Sequence, residues 1–480
     1  MIIKKIQCIA MTPLIKVLNR LRRVVSEAGF FNSNQKETSL ATSRVYAISR
    51  KIYGALLHHY SARFRDNNKY DVLLIYPKSE FDGPFFAPAA LLAIASPLTA
   101  KGYRVKIIDE RIERDCWENV DQILKKGVLC VGFTFFTGNQ IIHACRMMDL
   151  IKECYSQVPI VVGGWHATVL PEQTLQYANI DIVAPGEGEK TFTEIVEILK
   201  NNGELSQVRG ILYKRDGEII HTGIKESFDL NLYHNIDYRL IEDYLEYYPL
   251  AATFTSRGCP KRCTYCAIPL MYPRWRSFTV EHVFERIKAV LRKGKRFVFF
   301  LDENFLTDRQ RVVKLIDLIN ESSLEFSWYA LCRVDDLLEV SDEFMLKLKQ
   351  SGLKRLYLGA ESGSDRILNM VDKHITVEMI RQSNLRLKKI NIFPEFTFMT
   401  GFPGETEEEA QATIDFTREL KRDNPDATIW KINDYAPYPG TELYNQMLKS
   451  GFSSPDKLQE WADFHWYRKA KEYSFNRKHY

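Results

Sequence analysis

Three closely spaced cysteines are the residues of this chain best suited to chemistry. Cys259, Cys263 and Cys266 lie in the run Arg257-Gly-Cys-Pro-Lys-Arg-Cys-Thr-Tyr-Cys-Ala-Ile-Pro269, separated by three residues and then by two. A cubane iron–sulfur cluster normally takes a thiolate ligand at each of its irons. A set of three thiolates therefore predicts a four-iron cluster in which one iron stays open to a small molecule.

Two other roles for the cysteine triad remain open from the residues alone. Structural zinc usually takes a fourth Cys or His at a paired spacing, and no second Cys pair follows in this sequence. A disulfide needs an oxidising compartment, whereas the other cysteines are single and dispersed, as expected for packing residues in a reducing cytosol. Those cysteines are Cys8, Cys116, Cys130, Cys145, Cys154 and Cys332. The triad fits the iron cluster better than either alternative.

The cysteine run, with Tyr265 directly before its last cysteine, resembles the signature of the radical S-adenosylmethionine (SAM) enzymes. In that family the amino and carboxylate groups of SAM bind the open iron of a [4Fe-4S] cluster. Electron transfer from the reduced cluster then cleaves SAM to a 5′-deoxyadenosyl radical. The resemblance implies hydrogen-atom abstraction, a site in which Tyr265 contacts SAM, and an external electron donor such as flavodoxin or ferredoxin.

The chain after Pro249 alternates between short apolar runs and longer helical segments, which predicts six βα units. Six units predict a partial (β/α)6 TIM-type barrel whose first loop carries the Cys triad at the carboxyl ends of the strands, where barrel folds perform their chemistry. The predicted strands are Ala252 to Ser256, Phe297 to Leu301, Phe326 to Leu331, Arg355 to Leu358, Glu395 to Met399 and Ile429 to Asn433.

Polar residues follow the later strands of this predicted barrel, at positions where the radical SAM family binds SAM. The resemblance implies that Asp302, Glu303 and Asn304 bind the SAM amino group, although they match the family segment in position and acidity and not in letters. It further implies a methionine-carboxylate contact for Arg333, ribose contacts for Glu361 and Ser362, and an adenine-side turn at Gly401. Helix caps and ordinary turns explain each residue taken singly.

An earlier alternation of strands and helices begins at Asp71 and predicts a flavodoxin-like, doubly wound five-stranded parallel sheet. The predicted strands are Asp71 to Tyr76, Arg104 to Ile108, Leu129 to Phe133, Ile160 to Val162 and Ile180 to Val183. The predicted helices are Pro88 to Lys101, Gln140 to Cys154, Pro171 to Tyr177 and Lys190 to Asn201. Ligands of such sheets bind at the carboxyl ends of the strands.

The segments Ala87 to Tyr103, Val161 to Thr168 and Gly186 to Glu189 resemble the cobalamin-binding domain that precedes many radical SAM cores. The resemblance implies a set of cobalamin contacts, namely Pro88, Thr134, Gly138, Gly163, Gly164, His166, Gly186 and Glu187. From the residues alone, these glycines also fit the tight turns of an ordinary flavodoxin-like domain.

One segment departs from better-known cobalamin modules. The loop after the second strand reads Asp109-Glu-Arg-Ile-Glu-Arg114, without an Asp-x-His-x-x-Gly motif to place a His below the cobalt. We therefore expect no His ligand from this loop. We expect His166 to contact the cofactor edge or a backbone group and not to act as an axial ligand.

The basic character of the chain belongs to its first segment. Residues 1–69 carry 13 Lys or Arg against Glu27, Glu37 and Asp66, a net charge of +10, so the remainder sums to −5 of the total of +5. The mixed run Leu14 to Val25 is compatible with a helix on an anionic membrane surface, although packing or partial disorder fits it better. No run approaches the roughly 18 apolar residues that span a bilayer, and no signal peptide is expected. We expect a cytoplasmic protein, with peripheral membrane contact left open.

These observations predict five segments: a basic, mostly helical or partly disordered leader (1–69), a cobalamin-binding domain (70–204), a hairpin and linker (205–250), a radical SAM core (251–445) and a C-terminal helical extension (446–480). The hairpin is predicted around Arg215-Asp-Gly217.

The resemblance implies a cobalamin-dependent radical SAM enzyme that C-methylates an unactivated carbon of a small-molecule or lipid-like substrate via methylcobalamin. A cyclase or ring-rearranging oxidoreductase with the same cofactors is the alternative within enzymes. A non-catalytic cobalamin and iron–sulfur regulator is the alternative outside them, although the retained Cys triad argues against it. No nucleic-acid partner is expected, because the mildly basic end after the core resembles no RNA-binding module.

Overall fold

The structure is a computed structural model that describes residues 68–79, 86–113, 116–225, 229–232, 235–248 and 250–464, except for the side chains of Trp430 and Lys431. The predicted leader lies outside the described residues except for its last two positions, as does the end of the chain after residue 464. Every described residue belongs to one compact unit, Arg63–Tyr480. In the described part, no helix is long and apolar enough to cross a membrane.

The first sheet has seven strands in the order β2-β1-β3-β4-β5-β6-β7. They are β1 (Val72–Tyr76), β2 (Val105–Asp109), β3 (Cys130–Thr134), β4 (Ile160–Gly163), β5 (Ile182–Val183), β6 (Leu212–Arg215) and β7 (Glu218–His221). Strands β1 to β5 pair in parallel, which confirms the predicted five-stranded sheet. The predicted hairpin is β6 and β7, and it extends the sheet antiparallel to β5.

Both faces of the first sheet are covered. Along β1, Val72 and Leu74 belong to one apolar core while Leu73 and Ile75 belong to another, because alternate side chains of a strand point to opposite faces. The covering helices are α1 (Ala89–Ala100), α2 (Cys116–Leu124), α3 (Gln140–Cys154), α4 (Trp165–Val169), α5 (Pro171–Gln176) and α6 (Glu189–Lys200). The sequence analysis located α1, α3, α5 and α6 to within one residue and missed α2 and α4.

The second sheet has six parallel strands in the order β15-β14-β13-β12-β11-β8. Its strands, with the short ribbon β9–β10 beside it, are β8 (Ala251–Thr253), β9 (Ser256–Arg257), β10 (Arg276–Ser277), β11 (Phe297–Phe300), β12 (Ser327–Cys332), β13 (Leu353–Glu361), β14 (Phe393–Thr400) and β15 (Thr428–Asp434). Parallel strands that neighbour one another in chain order form an open barrel wall. The predicted partial (β/α)6 barrel is therefore confirmed.

The described helices of the barrel are α7 (Ile268–Met271), α8 (Val280–Arg292), α9 (Arg309–Glu321), α10 (Val334–Leu338), α11 (Asp342–Gln350), α12 (Asp365–Met370), α13 (Val377–Ile390), α14 (Glu407–Asp423) and α15 (Glu442–Lys449). All of them except α7 and α10 start at a Ser, Thr or Asp that caps the first turn. The side chains of Thr279, Asp308 and Thr406, for example, accept backbone N–H groups of the first turns of α8, α9 and α14.

Two connections hold the sheets in one unit. The linker contains 3-10 turns at Leu205–Gln207, Leu230–Leu232 and Tyr238–Tyr247. Just after the last of these turns, the Tyr248 hydroxyl donates to Asp109 of β2 at 2.7 Å, while the Tyr238 hydroxyl donates to the carbonyl of Ala252 in β8 at 3.1 Å. At the other end, the 3-10 turn Leu458–Asp463 returns to the first sheet and buries Trp461 against its helices.

Candidate active site

The cysteine loop lies where the sequence places it, after β8 at the carboxyl ends of the barrel strands. Cys263 is buried, and Cys259 and Cys266 are partly exposed. The backbone N–H of Gly258 donates to Glu303 Oε2 at 2.9 Å, and that of Thr264 donates to the carbonyl of Val371 at 3.1 Å. Three thiols on one loop supply soft ligands of the kind that an iron–sulfur cluster takes, so the donor set fits that cofactor. No group of three or more His, Cys, Asp or Glu side chains in the described ranges is placed to hold a single metal ion.

Arg333, predicted to pair with the methionine carboxylate of SAM, lies against this loop. Its guanidinium is 3.4 Å from Cys263 Sγ and donates to both carboxylate oxygens of Asp335, at 2.8 and 3.1 Å. Lys261 also donates to Asp335, at 3.0 Å. Although burial raises the pKa of Asp335, the two cations lower it below its ordinary value. Arg333 is therefore fixed beside the thiols by a charged partner.

A buried ion pair lies on the other side of the cysteines. Lys373 donates to Glu361 Oε1 at 2.7 Å and to the Tyr265 hydroxyl at 3.2 Å, and its backbone carbonyl accepts from Arg333. The side chains of Lys373 and Glu361 are only 6% and 9% exposed. Burial, and then the nearby charge of Glu361, raise the pKa of Tyr265. Tyr265 and Glu361, both predicted to contact SAM, are thus joined by a lysine that the sequence analysis did not select.

The backbone at Glu361 is unusual for a residue with a side chain. Its φ is +64°, in the left-handed region, at a register shift between β13 and β14. At Gly359, a Cβ atom would lie 2.4 Å from Glu361 Oε1 and 2.9 Å from Lys373 Nζ, so the glycine leaves room for the ion pair in its observed position. Strained backbone of this kind occurs preferentially at functional sites.

Two of the residues predicted to contact SAM are fully enclosed by protein. Asp302 is 0% exposed and accepts hydrogen bonds from Thr255 and Ser256, the residues that lead into the cysteine loop. Ser362 is also 0% exposed and lies 3.2 Å from the hydroxyl of Thr413. In this structure Asp302 and Ser362 hydrogen-bond to the segments that bear the other candidates, and their contact with SAM stays a prediction.

Asn304 and Gly401 also take part in the local framework. Asn304 accepts the backbone N–H of Arg333 at 3.2 Å and donates to Asp336 at 2.5 Å. Gly401 is exposed, and its N–H donates to the carboxylate of Glu405. Both residues therefore lie where the strand-end pattern predicts, and Gly401 presents an open backbone segment.

The glycine-rich ends of the first sheet lie together, as expected for a doubly wound fold. Thr134 ends β3 and pairs in register with Gly163, which ends β4. Gly164 has a φ of +89°, and a Cβ atom there would lie 2.4 Å from Thr134 Oγ1. Two other predicted cobalamin contacts, Pro88 and Gly138, directly precede α1 and the first turn leading into α3. The sequence-predicted set therefore converges on one edge of the sheet.

His166 and Glu187 have protein partners that the sequence did not reveal. His166 is 0% exposed; its Nδ1 lies 2.9 Å from the Thr137 hydroxyl, and its ring contacts that of Trp461. Burial lowers the pKa of His166 to about 3, so the ring is neutral. His166 is expected to contact the cofactor edge or a backbone group, and its contact with cobalamin stays a prediction. Glu187 pairs with two arginines of the barrel, Arg257 and Arg276.

The loops at the carboxyl ends of the strands in the first sheet contact the corresponding loops of the barrel. Arg257, two residues before Cys259, donates to Glu187 at 2.8 Å and to Glu189 at 2.5 Å. Thr168 of α4 lies 3.8 Å from the sulfur of Met271 in α7, just after the cysteine loop. Although burial raises the pKa of Glu189, the charge of Arg257 lowers it below the ordinary value. The loops predicted to hold cobalamin therefore touch the loop predicted to hold the cluster.

Sequence reasoning missed three charged residues of this region. Lys373 lies in the segment Met370-Val-Asp-Lys373, and a lysine directly after a predicted strand–helix unit is a weak signal by itself. Arg257 and Glu189 were part of the quoted motifs but received no role. Their opposite charges flank two glycine-bearing loops, and this pattern was the available signal for a contact between the domains.

Two protein-family models match the chain. The B12 binding domain model matches residues 83–196, within the first sheet and its helices. The Radical SAM superfamily model matches residues 253–417, from the end of β8 into α14. The matched regions include the two facing edges described above.

Individual proteins match most of the length of this chain. The chain is 32% identical over 395 residues to an uncharacterized methyltransferase, PH0819, of Pyrococcus horikoshii, covering 78% of this chain and 83% of that protein. It is 28% identical over 400 residues to an anaerobic magnesium-protoporphyrin IX monomethyl ester cyclase of Rubrivivax gelatinosus, covering 78% and 70%. The radical SAM methyltransferase TsrM of Kitasatospora setae, solved with cobalamin and a [4Fe-4S] cluster, has the same fold, with a TM-score of 0.69 at 18% identity over 81% of this chain and 80% of that chain.

Proposed function

This chain belongs to the radical SAM enzymes whose core follows a cobalamin-binding domain and uses a [4Fe-4S] cluster, SAM and cobalamin, and we propose that it transfers a methyl group to an unactivated carbon of a small molecule. The observation that carries the proposal is the direct contact between the two loop edges through Arg257, Glu187 and Glu189. Methyl transfer requires the radical-generating site and the methyl-donating site to open onto one space. Relatedness to a named methyltransferase supports the same reaction.

The cofactors would supply the reactive groups: SAM at the cluster would yield a carbon-centred radical, and cobalamin would carry the methyl group. The protein contributes position and charge. Cys259, Cys263 and Cys266 bind the cluster, and we assign the placement of SAM to Arg333 together with Tyr265, Glu361 and Lys373. Glu303 holds the start of the cysteine loop through the N–H of Gly258.

A cyclase that uses the same cofactors without net methyl transfer is the second candidate. It is favoured by the 28% identity to a magnesium-protoporphyrin ester cyclase over most of both chains. The two candidates differ in the fate of SAM. A methyltransferase of this type consumes one SAM to methylate reduced cobalamin and a second SAM to form the radical, whereas a cyclase consumes SAM only for the radical.

The deciding experiment needs no knowledge of the substrate. The anaerobically reconstituted protein is loaded with hydroxocobalamin, reduced with titanium(III) citrate and supplied with SAM that carries a trideuterated methyl group. A methyltransferase yields S-adenosylhomocysteine and trideuteromethylated cobalamin, each near one equivalent per bound cobalt, as measured by mass spectrometry. Formation of 5′-deoxyadenosine without either product would contradict methyl transfer and favour the cyclase.

A matched control separates the two sites. Cys263→Ala removes a predicted cluster ligand in the barrel and leaves the first sheet unchanged. This variant is expected to lose 5′-deoxyadenosine formation, while cobalamin methylation by the same deuterated SAM tests whether that step needs the cluster-bound SAM. Iron and cobalt contents, measured on each preparation, show which cofactor is present.

A further inference from the structure

Four charged side chains form a buried group between the first sheet and the barrel. Arg257 donates to Glu187 at 2.8 Å and to Glu189 at 2.5 Å, and Arg276 donates to Glu187 at 2.6 Å. Their side chains are 7, 9, 4 and 20% exposed for Arg257, Glu187, Glu189 and Arg276. We call these four residues the interdomain ion cluster. Its two arginines come from the barrel and its two glutamates come from the first domain.

The two arginines of this cluster lie at the two ends of the segment that contains the cysteine loop. Arg257 in β9 and Arg276 in β10 are directly opposite partners in the antiparallel ribbon that encloses residues 258–275. Two like charges facing each other across a ribbon repel, and burial strengthens the repulsion. Glu187 and Glu189 of the other domain supply counter-charges to this ribbon. The carboxylates of the first domain therefore stabilise the base of the cysteine loop in this form.

The first-domain side of the cluster is equally constrained. Glu187 lies in the loop after β5, where the N–H of Gly186 donates to the Thr168 hydroxyl at 2.8 Å. Lys225 donates to the carbonyls of Pro185 and Glu187, at 2.6 and 2.5 Å. This loop contains Gly186 and Glu187, two positions predicted to lie at the cobalamin site. A change of backbone position in this loop would displace the carboxylates that hold the ribbon.

We propose that the interdomain ion cluster couples the two cofactor sites, so that occupation of the cobalamin site strengthens cluster binding at the cysteine loop and the cluster strengthens cobalamin binding. The four residues are positioning residues, because they act on the loops and not on the reacting atoms. Thermodynamic linkage makes the effect reciprocal and equal in both directions. The proposal concerns cofactor binding alone, so it does not depend on whether the enzyme transfers methyl groups.

The test measures hydroxocobalamin binding to the full chain, with and without a reconstituted cluster, by quenching of tryptophan fluorescence under anaerobic conditions. In the unaltered protein, we expect the dissociation constant to fall roughly tenfold when the cluster is present, within the usual range of coupling between sites. In Arg257→Met, we expect the ratio of the two constants to approach one. A ratio of one in the unaltered protein, or an unchanged ratio in Arg257→Met, would overturn the proposal.

Two further variants keep the outcome interpretable. Glu189→Gln alters the first domain only and keeps a hydrogen-bonding group opposite Arg257; we expect it to reduce the ratio even if Arg257→Met fails to hold iron. Arg355→Met breaks an ion pair with Glu395 that is also buried, at 17 and 3% side-chain exposure, but lies wholly within the barrel sheet. This control should lower stability and leave the ratio unchanged. If Arg355→Met lost as much coupling as Arg257→Met, the loss would result from lower stability in general, and the proposal would be wrong.

Discussion

Glu361 and Lys373 are two buried residues of opposite charge that stabilise each other in this site. Each would carry an unpaired charge in the protein interior without the other, and an isolated buried charge is very costly. The left-handed backbone at Glu361 and the absence of a side chain at Gly359 both serve this contact. Because Lys373 also donates to Tyr265, the pair fixes the aromatic ring that precedes Cys266. Its removal should therefore affect both folding and the SAM site.

Replacement of Lys373 by Met should lower the free energy of unfolding by about 3 kcal/mol, because it leaves Glu361 buried without its partner. It should also weaken SAM binding, because Tyr265 loses its anchor. Urea unfolding measures the first effect and equilibrium dialysis with labelled SAM the second. Lys373→Arg, which keeps the charge, should show a smaller loss in both.

A surface lysine provides the control for this prediction. Lys347 pairs with Asp317 at 3.4 Å, but their side chains are 40 and 42% exposed, and exposed pairs contribute about 1 kcal/mol or less. Lys347→Met should therefore leave unfolding and SAM binding nearly unchanged. Equal stability of Lys373→Met and Lys347→Met would show that the buried pair has no structural role.

Replacement of any one of Cys259, Cys263 and Cys266 by Ala should abolish reductive cleavage of SAM, because a cluster held by two thiolates is not retained in the required form. Cobalamin should remain bound, since its predicted contacts belong to the first sheet, but with the weaker affinity that the proposed coupling gives to a protein without the cluster. Anaerobic reconstitution, followed by iron and cobalt counting and by measurement of 5′-deoxyadenosine, checks both expectations. Formation of 5′-deoxyadenosine at the unaltered rate would refute the assignment of the cluster ligands.

At the scale of secondary-structure elements, the sequence predicts strands better than the geometry of the loops between them. All eleven predicted parallel strands are present, because each is a short apolar run whose burial on both faces leaves a clear pattern. Helix α4 was missed because Gly163-Gly-Trp-His166 has the composition of a strand-end loop, and its five residues are too few to show helical periodicity.

The sequence predicted which residues lie near the candidate site more successfully than which of their side chains are exposed. Motif position placed Arg333 and Glu361 beside the cysteine loop, but could not show that Asp302 and Ser362 are enclosed by protein. Exposure depends on packing between segments far apart in the chain, as in the contact of Ser362 with Thr413. The role of Arg257 was hidden for the same reason, because its partners precede it by 68 and 70 residues.

Glu113, in the loop after β2, predicts that the stability of the fold depends on pH. Burial raises the pKa of Glu113 to about 7, although the side chain accepts a hydrogen bond from Asn119 at 2.6 Å. A carboxyl group with a raised pKa in the folded state stabilises the fold fully below its unfolded value of 4.5 and loses that contribution as the pH rises through 7. Glu113→Gln, which cannot ionise, should therefore stabilise the protein by about 3 kcal/mol at pH 8.5 and change little at pH 4.5.

Thermal unfolding of the two proteins at both pH values checks this expectation. Glu118, on the adjoining helix α2, has an exposed side chain, and Glu118→Gln is the control for removing a carboxylate at the surface. A pH-independent effect of Glu113→Gln would mean that Glu113 is ionised throughout the range, contrary to its burial.

At the scale of the whole molecule, the last described segment of the chain packs against the first domain. After α15, residues 451–464 leave the barrel, and Trp461 packs between Tyr444 of α15 and His166 of the first domain. Its indole N–H donates to Gln173 of α5 at 2.6 Å. The linker tyrosines hold the two sheets together on one side, and this segment adds a second connection. Two separate connections restrict the relative motion of two faces that must both bind cofactors.

Replacement of Trp461 by Ala should test whether this second connection supports the first domain. Trp461 is 0% exposed, and truncating a buried aromatic side chain typically costs about 3 to 5 kcal/mol. Because its contacts with the first domain are to His166 and to Gln173 of α5, the loss should appear as faster hydrogen exchange in α3 to α5 and as weaker hydroxocobalamin binding, with the iron content of the cysteine loop retained. Phe416→Ala removes a side chain of 4% exposure that packs on Phe398 inside the barrel, and it should accelerate exchange there instead. If Trp461→Ala accelerated exchange equally in both domains, the segment would stabilise the molecule as a whole and not hold the cobalamin-binding domain in particular.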